Sequence, residues 1–364
     1  YALKAGRSSN IERAADHPHD LRQSERNVLV CVQALFVCRP TRYIGCTMTT
    51  QVFIDGEVGT TGLQINERLS PRGDISLIHL GEDARKDAGA RRDALNAADV
   101  AILCLPDDAA RDAVAMIDGD TVVIDASTAH RAVDGWAYGF PEYDKGHRDV
   151  MRASSRISNP GCYALTSVAM LHPLVSSGLV PADYPVSINA VSGYSGGGKS
   201  LIAAFEDPAA QNHTDSVVYS YALGLQHKHV PEIQRWSGLG HAPLFVPSVA
   251  KYRQGMLVQV PLALWHLPGT PTAADLHAAL SDHYAGEKFV TVSPLDEAIS
   301  MLDPEALNGT NELRLHVLHN DQTGQAVVAG VIDNLGKGAS GQAVQTLNLL
   351  IGADEDAGLQ GEGL

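Results

Sequence analysis

The chain has 364 residues, of which 45% are hydrophobic and 19% are charged, and its formal net charge at pH 7 is −15. This length and composition predict a globular protein with room for two domains. The acidic balance argues against a general nucleic-acid or anionic-membrane binder, because both reward clustered Lys and Arg. No apolar run reaches the roughly 18 residues that a membrane span requires.

The number and spacing of the cysteines indicate the redox compartment of the protein. Five cysteines, at positions 31, 38, 46, 104 and 162, form no CxxC pair. This spacing favours a reducing compartment over a disulfide scaffold, so we predict a cytoplasmic protein.

Residues 1–47 lack regular periodicity, and we interpret them as an extension outside the catalytic fold. A peripheral ordered arm is the alternative.

From residue 48 to 160, strand and helix patterns alternate. Continuous apolar runs, typical of strands buried on both faces, predict strands at 51–54, 75–80, 100–105 and 121–125. Helix-prone segments follow the first three, from Thr61 to Pro71, at 85–97 and at 109–117. This order predicts an α/β fold with a doubly wound parallel sheet of the Rossmann type.

Beyond Cys162 the pattern changes. Partly alternating runs at 186–191, 257–262 and 313–318 predict strands of a sheet with one covered face. Long helical or irregular stretches separate them. We therefore predict a second, α+β domain over 161–333 with a mainly antiparallel sheet.

A glycine-rich loop follows the first predicted strand and opens the first helix. Its glycines are Gly56, Gly59 and Gly62, with Thr60 and Thr61 between them. Glycines at this place let the backbone approach a dinucleotide, and the helix N-terminus meets its pyrophosphate. The G-x-x-G-x-x-G spacing differs from the usual G-x-G-x-x-G, so the context carries the prediction.

Cations follow the second predicted strand, where an acid would bind the ribose of NAD. Arg85 and Lys86 lie there, with Arg91 and Arg92 nearby. Positive charge at this point suits a 2′-phosphate, so we predict NADP as the cofactor. The alternative is a solvated helix face.

Cys162 is the strongest candidate nucleophile. It follows Pro160 and Gly161, which interrupt the preceding strand, and apolar residues recur after it at helical spacing. A cysteine in the first turn of a helix feels the positive end of the macrodipole, which favours thiolate. The alternative is a small buried hydrophobic residue.

Two histidines, His227 and His229, precede Glu232 within six residues. In an extended segment their side chains would point the same way. No third ligand stands at a recognised spacing, so we predict no metal site. An acid/base role beside a thiolate is the simpler interpretation, because imidazole titrates near neutrality.

A second glycine-rich loop runs from Ser192 to Lys199, and with Ser200 after it the stretch Gly193 to Ser200 formally matches the triphosphate-binding pattern G-x-x-x-x-G-K-S. It lies outside the parallel βα series, and no acid for Mg²⁺ is evident. We interpret the match as incidental.

Taken together, these motifs resemble N-acetyl-γ-glutamyl-phosphate reductases of arginine biosynthesis, specifically the type 2 subfamily. The resemblance covers about residues 48–352, and its most specific stretches include 53–62, 103–110, 125–131, 159–163, 192–199, 226–232 and 333–339. It implies a Rossmann NADP-binding domain over 48–160, completed by 334–352, and an α+β catalytic and dimerisation domain. The open sheet predicted for the second domain suggests a homodimer or homotetramer, and the acidic charge argues against nucleic-acid or membrane partners.

The resemblance assigns roles to individual residues. Cys162 is implied as the catalytic cysteine, with His227 or His229 as the acid/base. Implied cofactor contacts, besides the first loop and Arg85 and Lys86, are Pro106, Ser127, Gly196 and Asn334. We predict substrate contacts at Arg131, Lys199, Ser195 and Glu232; Arg131 follows the fourth strand, and its guanidinium matches phosphate or carboxylate bidentately, with Lys199 as a second candidate.

The activity so implied is the reduction of an acyl phosphate by NADPH through a cysteine thioester, with N-acetylglutamyl 5-phosphate as substrate. Alternatives are an enzyme of the aspartate-semialdehyde dehydrogenase type and a non-catalytic NADP-binding sensor. Which histidine acts, and which cation binds phosphate or carboxylate, stay open at this point.

Overall fold

The structure, a computed structural model, describes residues 49–359, and the predicted extension 1–47 lies outside this range. No helix among these residues is long and apolar enough to cross a membrane. The α-helices, numbered along the chain, are α1 Thr60–Leu69, α2 Ala88–Ala97, α3 Asp107–Ala115, α4 His147–Ala153, α5 Cys162–Ser176, α6 Gly198–Glu206, α7 Val230–Ser237, α8 Ala273–His283 and α9 Gly341–Ile351.

The first sheet is entirely parallel. Its strands are β1 Thr50–Asp55, β2 Ile75–Ile78, β3 Val100–Leu103, β4 Val122–Asp125, β5 Ala137–Tyr138 and β6 Arg156–Ser158, in the spatial order β2-β1-β3-β4-β6-β5. The four predicted strands are confirmed as β1 to β4. Sequence analysis missed β5 and β6, because runs of two and three residues are too short to show a period.

Both faces of this sheet are covered. Val52 and Ile54 of β1 pack in one apolar cluster with residues of α1 and α9, whereas Phe53 packs in another with residues of α2 and α3. Successive side chains of a strand point to opposite faces, so a strand apolar throughout needs helices on both sides. The doubly wound prediction is confirmed, and α9, which follows the second sheet in sequence, packs on the first.

A crevice is expected where the strand order reverses. β1 pairs with β2 on one side and with β3 on the other, and the chain returns across β1 to reach β3. In open α/β sheets, ligands bind at the carboxyl ends of the strands at such a switch point. The first glycine-rich loop directly follows β1 at this place.

The second sheet is mixed. Its strands are β7 Ser187–Gly193, β8 Val218–Ser220, β9 Leu244–Ala250, β10 Met256–Ala263, β11 Val290–Val292, β12 Leu313–Asn320 and β13 Gln325–Ile332. Their spatial order is β11-β12-β13-β10-β7-β9-β8, with parallel pairs β7–β9 and β11–β12 and antiparallel pairs elsewhere. The predicted α+β domain with its mainly antiparallel sheet is confirmed.

Helix α5 occupies the core of the second domain. Leu165, Val168 and Leu171 are fully buried, and the helix packs against β10, β13, α7 and α8. A helix that is apolar on nearly all sides is stable only when buried in this way. Because α5 begins at Cys162, this packing sets the position of the thiol.

Candidate active site

A cavity of about 410 Å³ lies between the carboxyl end of the first sheet and the second domain. The predicted site residues that line it are Thr60, Thr61, Arg131, Cys162, Ser195, Gly196, His227, His229 and Asn334. They come from sequence positions up to 274 residues apart, from Thr60 to Asn334 (334 − 60). The fold therefore brings the predicted nucleophile, both histidines and the first turn of α1 to one cavity.

Other predicted site residues do not line this cavity: Gly56, Gly59, Gly62, Arg85, Lys86, Pro106, Ser127, Lys199 and Glu232. Pro106 immediately precedes α3. Ser127 is buried, and its hydroxyl donates to Asp125 at 2.7 Å. Lys199 is exposed on α6.

Cys162 is a free, partly exposed cysteine and the first residue of α5. The predicted helix start is therefore confirmed. The start of a helix favours the thiolate of Cys162, but burial acts in the opposite direction and raises the pKa of Cys162 above its ordinary value. The Tyr163 backbone N–H and the cations Arg131 and Lys228 counteract that rise in the pKa. A nearby base is thus needed to form the thiolate.

Glu232 supports the turn that carries Cys162. Its carboxylate accepts hydrogen bonds from the Gly161 backbone N–H at 3.0 Å and from the Tyr138 hydroxyl at 3.0 Å. Arg131 Nη1 donates to the same carboxylate at 3.4 Å. Glu232 is 1% exposed, so in this structure it orients the turn and Arg131 from behind the cavity wall.

Arg131 is held by backbone carbonyls. Its Nε donates to the Asn159 carbonyl at 2.9 Å and its Nη2 to the Ala126 carbonyl at 2.8 Å. The Nε/Nη2 edge of the guanidinium is therefore occupied. The Nη1/Nη2 edge keeps donor hydrogens, and Arg131 lines the cavity.

The histidine segment differs from the extended arrangement considered in the sequence analysis. It is a turn leading into α7, and the rings of His227 and His229 lie 4.7 Å apart at 77°. The His229 backbone N–H donates to Nδ1 of His227 at 3.1 Å. This contact places the proton of neutral His227 on Nε2 and leaves it no free basic nitrogen.

Of the two histidines, His229 has a ring nitrogen that is free to accept a proton and faces Cys162. A Cβ atom added to Gly161 would lie 2.3 Å from His229 Nε2, so this nitrogen faces the turn that carries Cys162. Burial lowers the pKa of His229 well below its ordinary value, and the charge of Arg131 lowers it further. The ring is therefore neutral near pH 7 and able to accept a proton.

Gly338 packs closely against Cys162. A Cβ atom at Gly338 would lie 2.8 Å from Cys162 Cβ. Gly338 belongs to a single π-helical turn, Gly336–Ser340, in which the fully buried Lys337 donates to Glu142 at 2.7 Å. Sequence analysis quoted this stretch as a motif but assigned Gly338 no role, because its contact with Cys162 is long-range.

The first glycine loop has the geometry of a pyrophosphate cradle. Gly56 has φ +91°, and a Cβ atom there would lie 2.3 Å from the Cys104 carbonyl oxygen that follows β3. A Cβ atom at Gly62 would lie 2.4 Å from the Gly56 carbonyl oxygen. No side chain caps α1 at Gly59, so its first N–H groups are left for an anion. These residues fit a dinucleotide.

The cations after β2 are partly engaged. Arg85 pairs at 3.1 Å with Glu57 of the glycine loop, and Arg91 pairs at 2.8 Å with Asp55 at the end of β1. Lys86 is exposed. Arg85 thus lies at the mouth of the cradle, whereas Arg91 neutralises a buried carboxylate.

The second glycine loop is held by Asn334. The amide of Asn334 donates to the Ser195 hydroxyl at 3.1 Å, and its oxygen accepts from the Gly255 N–H at 2.7 Å. Both side chains are 1% exposed. Asn334 therefore ties this loop to the start of the C-terminal segment. Within residues 49–359, no group of three or more His, Cys, Asp or Glu side chains could hold a metal ion.

Two family matches give the class of protein. Residues 53–150 match the family described as semialdehyde dehydrogenase, NAD binding domain, and residues 162–334 match semialdehyde dehydrogenase, dimerisation domain. The first match covers β2 to β5 of the first sheet and the second half of β1, and the second match covers every strand of the second sheet. The chain is an oxidoreductase of the semialdehyde dehydrogenase type.

Relatives narrow this class. The chain is 53% identical over 308 residues to N-acetyl-gamma-glutamyl-phosphate reductase 2 of Pseudomonas putida, covering 84% of this chain and 98% of that protein. It is 54% identical over 304 residues to N-acetyl-gamma-glutamyl-phosphate reductase of Burkholderia ambifaria, covering 83% and 96%. The chain belongs to the N-acetyl-gamma-glutamyl-phosphate reductase family, which confirms the resemblance noted in its motifs.

A solved structure shares the fold. Aspartate semialdehyde dehydrogenase II of Vibrio cholerae aligns with a TM-score of 0.63 at 17% identity, covering 84% of this chain and 99% of that chain. At this identity the match shows the architecture of both domains and no more.

Proposed function

We propose that the protein catalyses the NADPH-dependent reductive dephosphorylation of N-acetylglutamyl 5-phosphate to N-acetylglutamate 5-semialdehyde, a step of arginine biosynthesis. Its membership in the reductase family supports the reaction. The observation that carries the mechanism is Cys162 at the start of α5, in one cavity with His229, Arg131 and the first turn of α1.

The first half of the reaction forms a thioester. Cys162 Sγ attacks the acyl carbon, the carbon–oxygen bond to the phosphate breaks, and inorganic phosphate leaves with the electron pair. The thiol proton passes to Nε2 of His229. The negative charge of the bound substrate favours the imidazolium, which offsets the burial that otherwise lowers the pKa of His229.

The second half forms the aldehyde. NADPH, when bound at the α1 cradle, supplies the hydride that reduces the thioester carbonyl. The imidazolium of His229 protonates the resulting oxygen and gives a thiohemiacetal on Cys162. Return of that proton to His229 lets the carbon–sulfur bond break, which releases the aldehyde and regenerates the Cys162 sulfur.

Positioning roles follow from the same contacts. Arg131 binds the carboxylate that the substrate keeps throughout the reaction, through its Nη1/Nη2 edge. Ser195 and Gly196 border substrate and cofactor with Asn334 behind them. Arg85 at the mouth of the cradle supports the preference for the 2′-phosphate of NADP.

Substrate specificity is the decisive test of this proposal. With NADP and inorganic phosphate, the purified protein should oxidise N-acetylglutamate 5-semialdehyde much faster than aspartate 4-semialdehyde in side-by-side assays. Faster turnover of aspartate 4-semialdehyde would indicate an enzyme of the aspartate-semialdehyde dehydrogenase type. Binding of NADP without turnover of either aldehyde would indicate a sensor.

We further propose that the protein works as a homodimer or homotetramer through the second sheet. Large apolar side chains remain exposed at the β8–β9 edge and the loop beside it: Val217, Val218, Leu223, Leu225, Leu244 and Val246. The matched dimerisation family covers this region. Exposed large apolar side chains gathered in one part of a sheet are typical of a subunit interface. Light scattering should give a mass of at least two chains, and the mass of one chain would contradict the proposal.

A reducing compartment, the cytoplasm, suits this chemistry. Cys104 and Cys162 are both free cysteines. A thiol nucleophile and a reduced nicotinamide both depend on reducing conditions.

A further inference from the structure

Permanent positive charge is scarce among the cavity residues. Of the described residues that line the cavity, only Arg131 and Lys228 carry such a charge, and no Asp or Glu lines it. The acyl phosphate and carboxylate of the proposed substrate need cationic partners. Lys199, the other lysine considered from the sequence, does not line the cavity.

The two cations are held differently. Arg131 is 7% exposed, and two of its nitrogens donate to the carbonyls of Asn159 and Ala126. Lys228 is exposed, and its ammonium has no hydrogen bond or ion pair with any residue of the range 49–359. The fixed, planar guanidinium of Arg131 suits a ligand group that stays bound during the reaction. The mobile ammonium of Lys228 suits a ligand group that leaves.

Lys228 also lies close enough to influence the reacting groups. It follows His227 and precedes His229 in the turn. Its charge lowers the pKa of Cys162 and that of His229, and it lowers the pKa of Asp107 at the start of α3. Lys228 is thus an exposed cation in the wall of the cavity that also holds Cys162 and His229.

We propose that Lys228 binds the phosphate group of the substrate, and that it also binds inorganic phosphate as this ion leaves or enters the cavity. This inference rests on the proposed function. It divides the anion sites between two cations, with Lys228 for the phosphate that leaves and Arg131 for the carboxylate that remains.

The reverse reaction separates the two anions, because phosphate and N-acetylglutamate 5-semialdehyde are then independent substrates. Lys228→Gln should raise the KM for inorganic phosphate about 10- to 100-fold, the range for a lost charge-assisted hydrogen bond. The KM for the semialdehyde should change by less than about 3-fold, because the carboxylate is bound elsewhere. Lys228→Arg keeps the charge and should restore most of the phosphate affinity.

Lys145→Gln makes the same charge change at an exposed position away from the cavity and should leave both constants unchanged. An unchanged KM for phosphate in Lys228→Gln would overturn the inference, as would a rise confined to the KM for the semialdehyde. If Lys199→Gln alone raises the KM for phosphate, Lys199 holds the site instead. Absence of phosphate-dependent turnover in the unaltered protein would reject the proposed function itself.

Discussion

Replacing Cys162 with serine should lower kcat by at least about 10³-fold, the order seen when a covalent nucleophile is removed. Serine keeps nearly the same volume at the start of α5 but is a far weaker nucleophile at neutral pH. NADP affinity, measured by fluorescence titration, should stay within about 3-fold, because the cradle at α1 does not depend on the thiol.

Cys104 provides the matched control. It is the other free cysteine of the described residues, and burial raises its pKa to about 12. Iodoacetamide should therefore label Cys162 before Cys104 and abolish turnover as it does so, while Cys104→Ala should stay active. A Cys162→Ser protein with full phosphate-dependent turnover would rule out the thioester mechanism.

Replacing His229 with glutamine should lower kcat by about 10²- to 10⁴-fold, the usual contribution of a general acid–base group. The change should also alter the pH profile. The base form of His229 is the neutral ring, and burial lowers its pKa, so activity falls only as the pH drops well below the ordinary histidine range. His229→Gln should lose this acid limb in a plot of kcat/KM against pH.

Replacing His227 tests whether the loss of activity and of the acid limb is specific to His229. In His227→Asn, the amide oxygen can still accept the backbone N–H of His229, which Nδ1 of His227 accepts in the structure. We expect a loss of less than about 10-fold and a retained acid limb, because His229, whose titration gives that limb, is still present. If instead His227→Asn removes the acid limb and His229→Gln does not, the two assignments must be exchanged.

Local patterns in the sequence predicted much of the fold. Runs of apolar residues predicted β1 to β4, because a strand covered on both faces must be apolar throughout. Pro160 and Gly161 predicted the start of α5 at Cys162, since both act on the backbone within one turn. The strands β5 and β6 escaped notice, because a two- or three-residue strand is stabilised by its neighbours rather than by its own pattern.

The roles of individual side chains were harder to predict from the sequence. The helix-terminus argument favoured an ionised Cys162, but burial by residues distant in sequence raises its pKa. Glu232 looked like a substrate ligand beside the histidines. The fold instead directs its carboxylate to the Gly161 N–H, 71 residues away in sequence, and to the Tyr138 hydroxyl.

By itself, the sequence determined the alternation of strands and helices before Cys162, three strands of the second sheet (β7, β10 and β12), the glycine cradle after β1 and the cysteine that begins α5. These features follow from interactions between residues near each other along the chain. Only the tertiary structure decided that Nε2 of His229 faces the Cys162 turn, and that Lys228 is the exposed cation at the cavity. Those relations depend on desolvation and on contacts between distant segments, which appear only when the two domains pack together.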